Sequence, residues 1–139
     1  MYTALKGEGA YKNGLPITVK SSKTKFTFIT DRSFTKSVDY NSFVLDLKSA
    51  VKIKGFNQFE IIAHGGASMN AIWVLENAPA SYVKPPKKQL GGGGIWDFAA
   101  TVCLFNELKL RATNFKGSPL DLNRKGSTFM NHEGVWFEA

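Results

Sequence analysis

The segment KFTFITDRS at residues 25–33 contains a predicted strand, and the rest of the fold is predicted around it. Polar and apolar side chains alternate over residues 25–28, and two further residues extend the pattern to Thr30. Alternation with a period of two is typical of a β-strand with one buried face. The polar residues 31–33 then close the segment. We therefore predict a half-buried strand over residues 25–30.

A helical spacing follows this strand. Tyr40, Val44, Leu47 and Val51 are separated by steps of four, three and four residues, which places them on one face of a helix. We predict this helix over residues 36–53. A glycine shortly after it is a common helix-stop signal.

Strands and helices alternate along the remainder of the chain. We predict strands at residues 59–63 and 80–84, short strands near 110–112, 121–122 and 128–131, and helices at 67–76 and 96–108. Such alternation is typical of an α/β fold, in which a sheet is flanked by layers of helices.

The first twenty residues fit this pattern less well. They are predicted to form two short strands joined by turns, and Asn13-Gly14 is a strong hairpin signal because both positions tolerate positive φ. Nothing in this segment offers the two strands an apolar surface to pack against. Strands without a packing partner of their own are expected in a chain that begins inside a longer protein.

Length and composition are those of a single folded domain. The chain has 139 residues, of which 43% are hydrophobic and 21% charged, and this composition excludes general disorder. Its net charge of +7 favours anionic ligands. The lysines are scattered, except for Lys84, Lys87 and Lys88 around a Pro-Pro pair, so no specific nucleic-acid surface is expected.

Cysteine content and hydropathy bear on the location of the protein. The lone Cys103 cannot form an internal disulfide, and its apolar neighbours predict a small buried hydrophobe. No segment has the roughly 20 apolar residues of a membrane helix, and the first residues lack the pattern of a signal peptide. We expect a cytoplasmic protein without membrane association.

Three stretches of sequence carry the chemical information. They are YTALKGEGAYKNG at residues 2–14, GGASMN at residues 65–70 and WDFAA at residues 96–100. Together they resemble the C-terminal half of the inositol monophosphatase superfamily. The resemblance implies a mixed sheet flanked by helices, as in that family's C-terminal domain. It also implies that residues 1–20 are a strand pair from the end of a missing N-terminal domain, and that residues 21–139 are the C-terminal α/β domain.

The resemblance implies that Asp97 is a ligand of Mg²⁺. Magnesium prefers carboxylate and water oxygens, and a carboxylate in the first turn of a helix is favoured by the exposed amide dipoles there. The same helix start would attract a substrate phosphate. The alternative is that Asp97 only caps its helix.

The resemblance also implies substrate contacts from a turn formed by Gly65, Gly66 and Ala67. Small residues there would let backbone amides approach a phosphate or hydroxyl closely, although an ordinary strand-to-helix turn would look the same. Ser33, in the turn that closes the strand at 25–30, is a further candidate for the substrate pocket. His64 is interpreted as a structural residue.

Two features before Asp97 concern the substrate. The four glycines at residues 91–94 are either a backbone nest for an anion or a flexible connector. Many members of the family have an acidic substrate-binding residue in this region, whereas residues 87–90 here read KKQL. This departure favours a second phosphate or another anion over inositol-like specificity.

Most of the family's catalytic groups are not in this sequence. The family's remaining metal ligands lie in its N-terminal half, in a glutamate and an Asp-Pro-Leu/Ile-Asp-Gly-Thr loop. This chain has no Asp-Pro, and SPLD at residues 118–121 lacks the first aspartate. We therefore expect no catalytic residue in this chain and no phosphatase activity from it alone.

The leading interpretation is the C-terminal part of a magnesium-dependent phosphatase, completed by a missing N-terminal segment or a partner chain. Its substrate would be an inositol phosphate, a sugar phosphate or a 3′-phosphoadenosine nucleotide. An alternative is a non-catalytic module that binds an anion or a protein and forms homo-oligomers through its exposed domain surface. A third is an unrelated α/β domain with chance motifs. The leading interpretation predicts that strands at 26–30, 59–63 and 128–131 share one sheet.

Overall fold

A computed structural model of the chain describes residues 1–91 and 93–139, which form two sheets and three helices. The first sheet contains β1 (Tyr2–Leu5), β2 (Gly9–Lys12) and β3 (Leu15–Pro16). The second contains β4 (Lys25–Thr30), β5 (Gln58–Ile62), β6 (Ala80–Lys84), β7 (Arg111–Thr113) and β8 (Val135–Glu138). The helices are α1 (Tyr40–Ile53), α2 (Ala67–Glu76) and α3 (Ile95–Glu107).

The larger sheet is mixed, as predicted. Its strand order is β5-β4-β6-β8-β7. Strand β4 pairs in parallel with both β5 and β6, whereas β8 is antiparallel to β6 and to β7. The predicted α/β class, a mixed sheet flanked by helices, is therefore confirmed.

The interior strand β4 is buried on both faces, which corrects the half-buried prediction. Phe28 and Ile29 are consecutive residues, and neither is exposed to solvent. Phe28 packs in the apolar cluster that includes α1, and Ile29 packs in the cluster that includes α2 and α3. Helices on both faces of a parallel strand remove the polar face that alternation would otherwise indicate.

The last predicted strands were placed in the wrong segments. Residues 121–122 and 128–131 form no strand, and the strand near the C-terminus is β8, which lies between β6 and β7. Met130 is buried, but it lies in a loop. Its backbone amide donates to the Gly93 carbonyl at 3.1 Å. In β8, Val135 and Phe137 are fully buried. A short apolar run does not reveal by itself whether it is paired.

The helix boundaries agree closely with the sequence pattern. Helix α2 begins and ends as predicted, and α3 is shifted by one residue. Helix α1 begins at Tyr40 because Phe34–Lys36 form a separate 3₁₀ turn. Cys103 on α3 is half-buried, less buried than predicted. None of the described helices has the length and apolar character needed to cross a membrane.

The N-terminal sheet packs on helices α2 and α3, so its strands do have an apolar surface to cover. Ala10 is buried in a cluster with Ile72 of α2 and Leu104 of α3. The amides of Gly7 and Gly9 also donate to the Glu107 carboxylate, at 2.8 and 2.9 Å. The sheet has a third strand, β3, where two were predicted, and residues 17–19 continue without strand structure.

The strand connections leave a crevice at one end of the large sheet, beyond the carboxyl ends of β4 and β6. The connection after β4 leads to α1 on one face, whereas the connection after β6 leads to α3 on the other. Adjacent parallel strands whose connections leave to opposite faces leave a crevice beyond their carboxyl ends. Ligands of open α/β sheets bind in such crevices.

Candidate functional site

The carboxyl ends of β4 and β6 carry an ion pair across this crevice. The Asp31 carboxylate follows β4 and pairs with the ammonium group of Lys84, the last residue of β6. Their side chains are only 14% and 13% exposed. Asp31 also accepts hydrogen bonds from the Tyr82 hydroxyl at 2.9 Å and from the Asn70 amide at 3.1 Å. One carboxylate therefore organises three donors from β6 and α2.

Tyr82 has a defined protonation state in this network. Burial raises the pKa of the Tyr82 phenol well above its usual value, and the neighbouring Asp31 charge raises it further. The phenol therefore stays protonated at neutral pH and acts as a hydrogen-bond donor to Asp31. The Asp97 carboxylate contributes in the same direction, so Asp97 belongs to the same electrostatic surroundings.

Asp97 lies in the first turn of α3 and caps it. Its Oδ2 accepts a hydrogen bond from the backbone amide of Gly94 at 2.8 Å. The hydroxyl of Ser68, in the first turn of α2, donates to the Asp97 carbonyl at 2.8 Å. The N-termini of α2 and α3 are thereby held side by side, and this contact joins two of the three stretches that carry the resemblance.

The fit of these residues to a magnesium ion is partial. The Oδ1 atom of Asp97 makes no hydrogen bond to the described residues, so it is available to a cation. Within residues 1–91 and 93–139, however, no three His, Cys, Asp or Glu side chains form a group that could hold a metal. A ligand role for Asp97 stays a prediction, and the described residues around it do not form a complete metal centre.

The turn of Gly65, Gly66 and Ala67 connects β5 to α2, and its glycines have different roles. A Cβ at Gly65 would lie 2.2 Å from the Oδ1 of Asn70 and 2.5 Å from the Trp73 ring, so the absence of a side chain is required by packing. A Cβ at Gly66 would meet no atom within 4 Å. Only the Gly66 side of the turn is open to a ligand, and a substrate contact there stays a prediction.

Ser33 lies on the other side of the Asp31–Lys84 pair. It is exposed, and it borders a cavity of about 400 Å³ between the β4–α1 connection and the segment that follows β6. Asp97 does not line this cavity, whereas Lys84 does. Asn70 links the two predicted contacts, because its amide donates to Asp31 and to the Gly65 carbonyl, but only Ser33 borders this cavity.

The glycine run before α3 is only partly described. The predicted nest at residues 91–94 includes Gly92, which lies outside the described residues. The Gly94 amide already donates to Asp97, which removes one donor from such a nest. Gly93 has a φ of +123°, and a Cβ there would lie 2.9 Å from the Phe98 ring and 3.5 Å from the Lys84 Nζ. The Lys84 ammonium group is thus close to the start of α3.

His64 immediately precedes the glycine turn. Its ring lies 5.1 Å from the Trp73 ring, centroid to centroid, and its side chain is exposed. The structure gives it no hydrogen bond to the described residues of the network. A structural role for His64 stays a prediction.

The Asp31–Lys84 pair and its two further donors, Tyr82 and Asn70, were not identified as a unit from the sequence. In the sequence, Asp31 stands in a polar turn after a strand and Lys84 in a group of lysines around a Pro-Pro pair. A usable signal was present, because polar residues at the carboxyl ends of neighbouring parallel strands meet at one sheet edge. Tyr82 and Lys84 are two residues apart on one strand, which places both on the same face.

Comparison with known proteins gives a consistent result. The model of the inositol monophosphatase family matches residues 1–138. No curated protein matches the chain. Many solved structures match, and they include an inositol monophosphatase family protein from Staphylococcus aureus, with a TM-score of 0.64 and 20% identity. An inositol monophosphatase from Anabaena (Nostoc) gives 0.62 and 18%.

A third structure, described as an IMPase/NADP phosphatase complexed with Mg²⁺ and phosphate, gives a TM-score of 0.63 and 20% identity. Each match covers 99% of this chain but only 46%, 49% and 44%, respectively, of the three structures. The chain therefore spans less than half the length of these relatives. At these identities the structural likeness establishes the fold.

Proposed function

The chain belongs to the inositol monophosphatase family, and we propose that it is the C-terminal part of a magnesium-dependent phosphate monoester hydrolase. The observation that carries this proposal is the hydrogen bond between Ser68 and the Asp97 carbonyl. It holds the N-termini of α2 and α3 together beside a carboxylate oxygen that a cation could reach. Helix N-termini attract phosphate groups, so a phosphate and a cation would both find partners at this edge.

In this proposal the residues of the chain bind and orient the substrate. Asp97 would be a ligand of the Mg²⁺ ion with the carboxylate oxygen that does not cap α3. When bound, the ion polarises the phosphate and lowers the pKa of a coordinated water. The open backbone at Gly66 and Ala67 contacts the phosphate or a substrate hydroxyl, and Ser33 contacts the part of the substrate beyond the Asp31–Lys84 pair.

The site proposed here is incomplete in this chain alone. Asp97 is one ligand, and a magnesium cluster needs further carboxylates. We infer that the other ligands come from an N-terminal half or from a partner chain, and that residues 1–20 form the strand unit which joins that half. Without those ligands the chain is inactive. The substrate is an inositol phosphate, a sugar phosphate or a 3′-phosphoadenosine nucleotide.

A second candidate function is a non-catalytic module that binds an anion or another protein. It is favoured by exposed apolar side chains of the N-terminal sheet, where Leu5 and Leu15 are 60% and 71% exposed. Such side chains are an association liability, and self-association would cover them. Light scattering over a range of concentrations tests this candidate. A mass that stays monomeric at high concentration would contradict homo-oligomerisation through this surface.

The test of the leading proposal is phosphate release in the presence of Mg²⁺. The chain is assayed with inositol phosphate, fructose bisphosphate and adenosine bisphosphate, alone and mixed with the N-terminal half of a complete family member. We expect release only in the mixture, and its loss with Asp97→Asn. Asp46→Asn is the matched control, because Asp46 is exposed on α1, away from the site.

Release from the chain alone that is lost in Asp97→Asn would show that this chain or its oligomer supplies every ligand. The incomplete-site proposal would then be wrong. Equal release from the Asp97→Asn and Asp46→Asn mixtures would exclude Asp97 as a ligand.

A further inference from the structure

A second space lies next to the proposed phosphate site. The cavity of about 400 Å³ that Ser33 borders opens between the β4–α1 connection and the segment after β6. Phe34, Phe43 and Phe115 form part of its wall, and Lys36, Lys84 and Lys87 also line it. Aromatic walls reduce the local dielectric constant and strengthen the interaction of any charge inside with the surrounding charges.

The charge of this cavity is not balanced by carboxylates. Lys84 is paired with Asp31, but Lys36 and Lys87 form no ion pair with any described residue. Asp39 is the acidic residue in the wall, and its carboxylate forms no ion pair with either lysine in the described part of the chain. Lys36 and Lys87 therefore add two positive charges to the lining of a partly enclosed space, against the one carboxylate of Asp39.

Lys87 is positioned by a buried residue. Its backbone amide donates to the Asn131 carbonyl at 2.6 Å, and the Asn131 side-chain amide donates to the Lys87 carbonyl at 3.0 Å. Asn131 is only 6% exposed. The segment after β6, which otherwise contains two prolines and no helix or strand, is therefore held against the domain at this lysine.

Lys36 is positioned by the 3₁₀ turn on the opposite wall. It is the last residue of that turn, and its amide donates to the Ser33 carbonyl at 3.4 Å. Ser33 follows Asp31 by two residues, so Lys36 is tied closely to the carboxyl end of β4. The two unpaired lysines thus come from the two chain segments that border the crevice.

Lys84 connects this cavity with the proposed phosphate site. It lines the cavity, and its Nζ also lies close to Gly93, just before α3. We propose that the cavity is a subsite for a second anionic group of the substrate, bound by Lys36 and Lys87. The inference rests on the proposed function and narrows its substrate class to phosphate monoesters that carry a further phosphate or carboxylate group.

The first test needs no catalysis and uses the 139-residue chain with inorganic phosphate as the probe. Backbone amide signals are followed by NMR during a phosphate titration at constant ionic strength. We expect saturable shifts at Ser33, Lys36 and Lys87. The double variant Lys36→Gln/Lys87→Gln should bind phosphate about tenfold more weakly or worse, because charge-assisted hydrogen bonds are strong.

Lys20→Gln/Lys23→Gln is the matched control, because both lysines are exposed, lie outside this cavity and together remove the same two charges. This control should bind phosphate within about twofold of the parent, as expected of screened surface charges. Equal weakening in the control and in the Lys36→Gln/Lys87→Gln variant would overturn the subsite. Shifts confined to the start of α3, or no saturable shifts, would overturn it as well.

The second test separates this inference from the proposed function. A sugar bisphosphate should bind the chain more tightly than the matching monophosphate, and the double variant should remove that difference. If phosphate release never depends on Asp97 but the bisphosphate preference is lost in the double variant, the hydrolase proposal fails and the anion subsite stands. If release depends on Asp97 but the preference survives the double variant, the subsite fails alone.

Discussion

The Asp31 carboxylate and the Lys84 ammonium group form an ion pair that joins the ends of two neighbouring parallel strands. The pair is largely buried, and Tyr82 and Asn70 donate further hydrogen bonds to Asp31. Burial makes each charge dependent on its partner, because neither is well solvated once the other is removed. Loss of one partner should therefore destabilise the chain, and Lys84 also lines the same cavity as Lys36 and Lys87.

Replacing Lys84 with methionine should destabilise the chain by about 3 kcal/mol, because it leaves the Asp31 charge buried without its partner. Urea unfolding measures the change in the free energy of unfolding. The double variant Lys84→Met/Asp31→Asn should lose less than the single variant, because no unpaired charge remains. A loss below about 1 kcal/mol in Lys84→Met, the level of an exposed pair, would contradict the buried pair.

Gly65→Ala should destabilise the chain by about 2 kcal/mol, because the new Cβ would overlap the Asn70 side chain and the Trp73 ring. Gly66→Ala is the control, because its backbone is extended and the space around it is open. Thermal unfolding of the two variants compares them directly. Equal melting temperatures for both would mean that Asn70 does not occupy the position described.

Asp97→Ala should lower the free energy of unfolding by about 1 kcal/mol, because α3 loses the acceptor for the Gly94 amide. Asp97→Asn should lose less, because its side-chain oxygen can still accept that hydrogen bond. Chemical denaturation of the two variants measures the difference. A stable Asp97→Asn protein also ensures that lost phosphate release reports on the carboxylate and not on folding.

Acid should loosen the N-terminal sheet before the rest of the chain. Hydrogen bonds from the Gly7 and Gly9 amides hold the pKa of Glu107 below its usual value of 4.5. Bonds from Lys12 and Tyr2 lower the pKa of Glu76 in the same way. A lowered pKa in the folded state gives stability that is present above about pH 4.5 and is lost as pH falls through the folded value.

Amide hydrogen exchange measures this loosening. Protection of Gly9 and Ala10 should fall below about pH 4.5, relative to that of β4, after correction for intrinsic exchange rates. Glu107→Gln should show the reduced protection already at neutral pH. Glu8→Gln, a change on an exposed side chain of the same sheet, should not. Equal protection in the two variants would exclude Glu107 as the contact that holds the sheet.

The helices were the part of the fold most readily predicted. The spacing of Tyr40, Val44, Leu47 and Val51 identified α1, because a helix buries a stripe whose period is local in sequence. The strands near the C-terminus were harder to place. Residues 128–131 are as apolar as a strand, but strand formation depends on a partner that lies far away along the chain. Residue burial alone does not distinguish Met130 in its loop from Val135 in β8.

The candidate site was likewise predictable only in part. The sequence by itself determined the family resemblance, the α/β class and the position of Asp97 in the first turn of a helix, because each of these depends on short motifs and local periodicity. Only the tertiary structure decided that Asp31, Tyr82, Lys84 and Asn70 form one network, and that Lys36 and Lys87 face one cavity. The physical reason is that parallel pairing brings together strand ends that are about fifty residues apart, and no local pattern records which ends will meet.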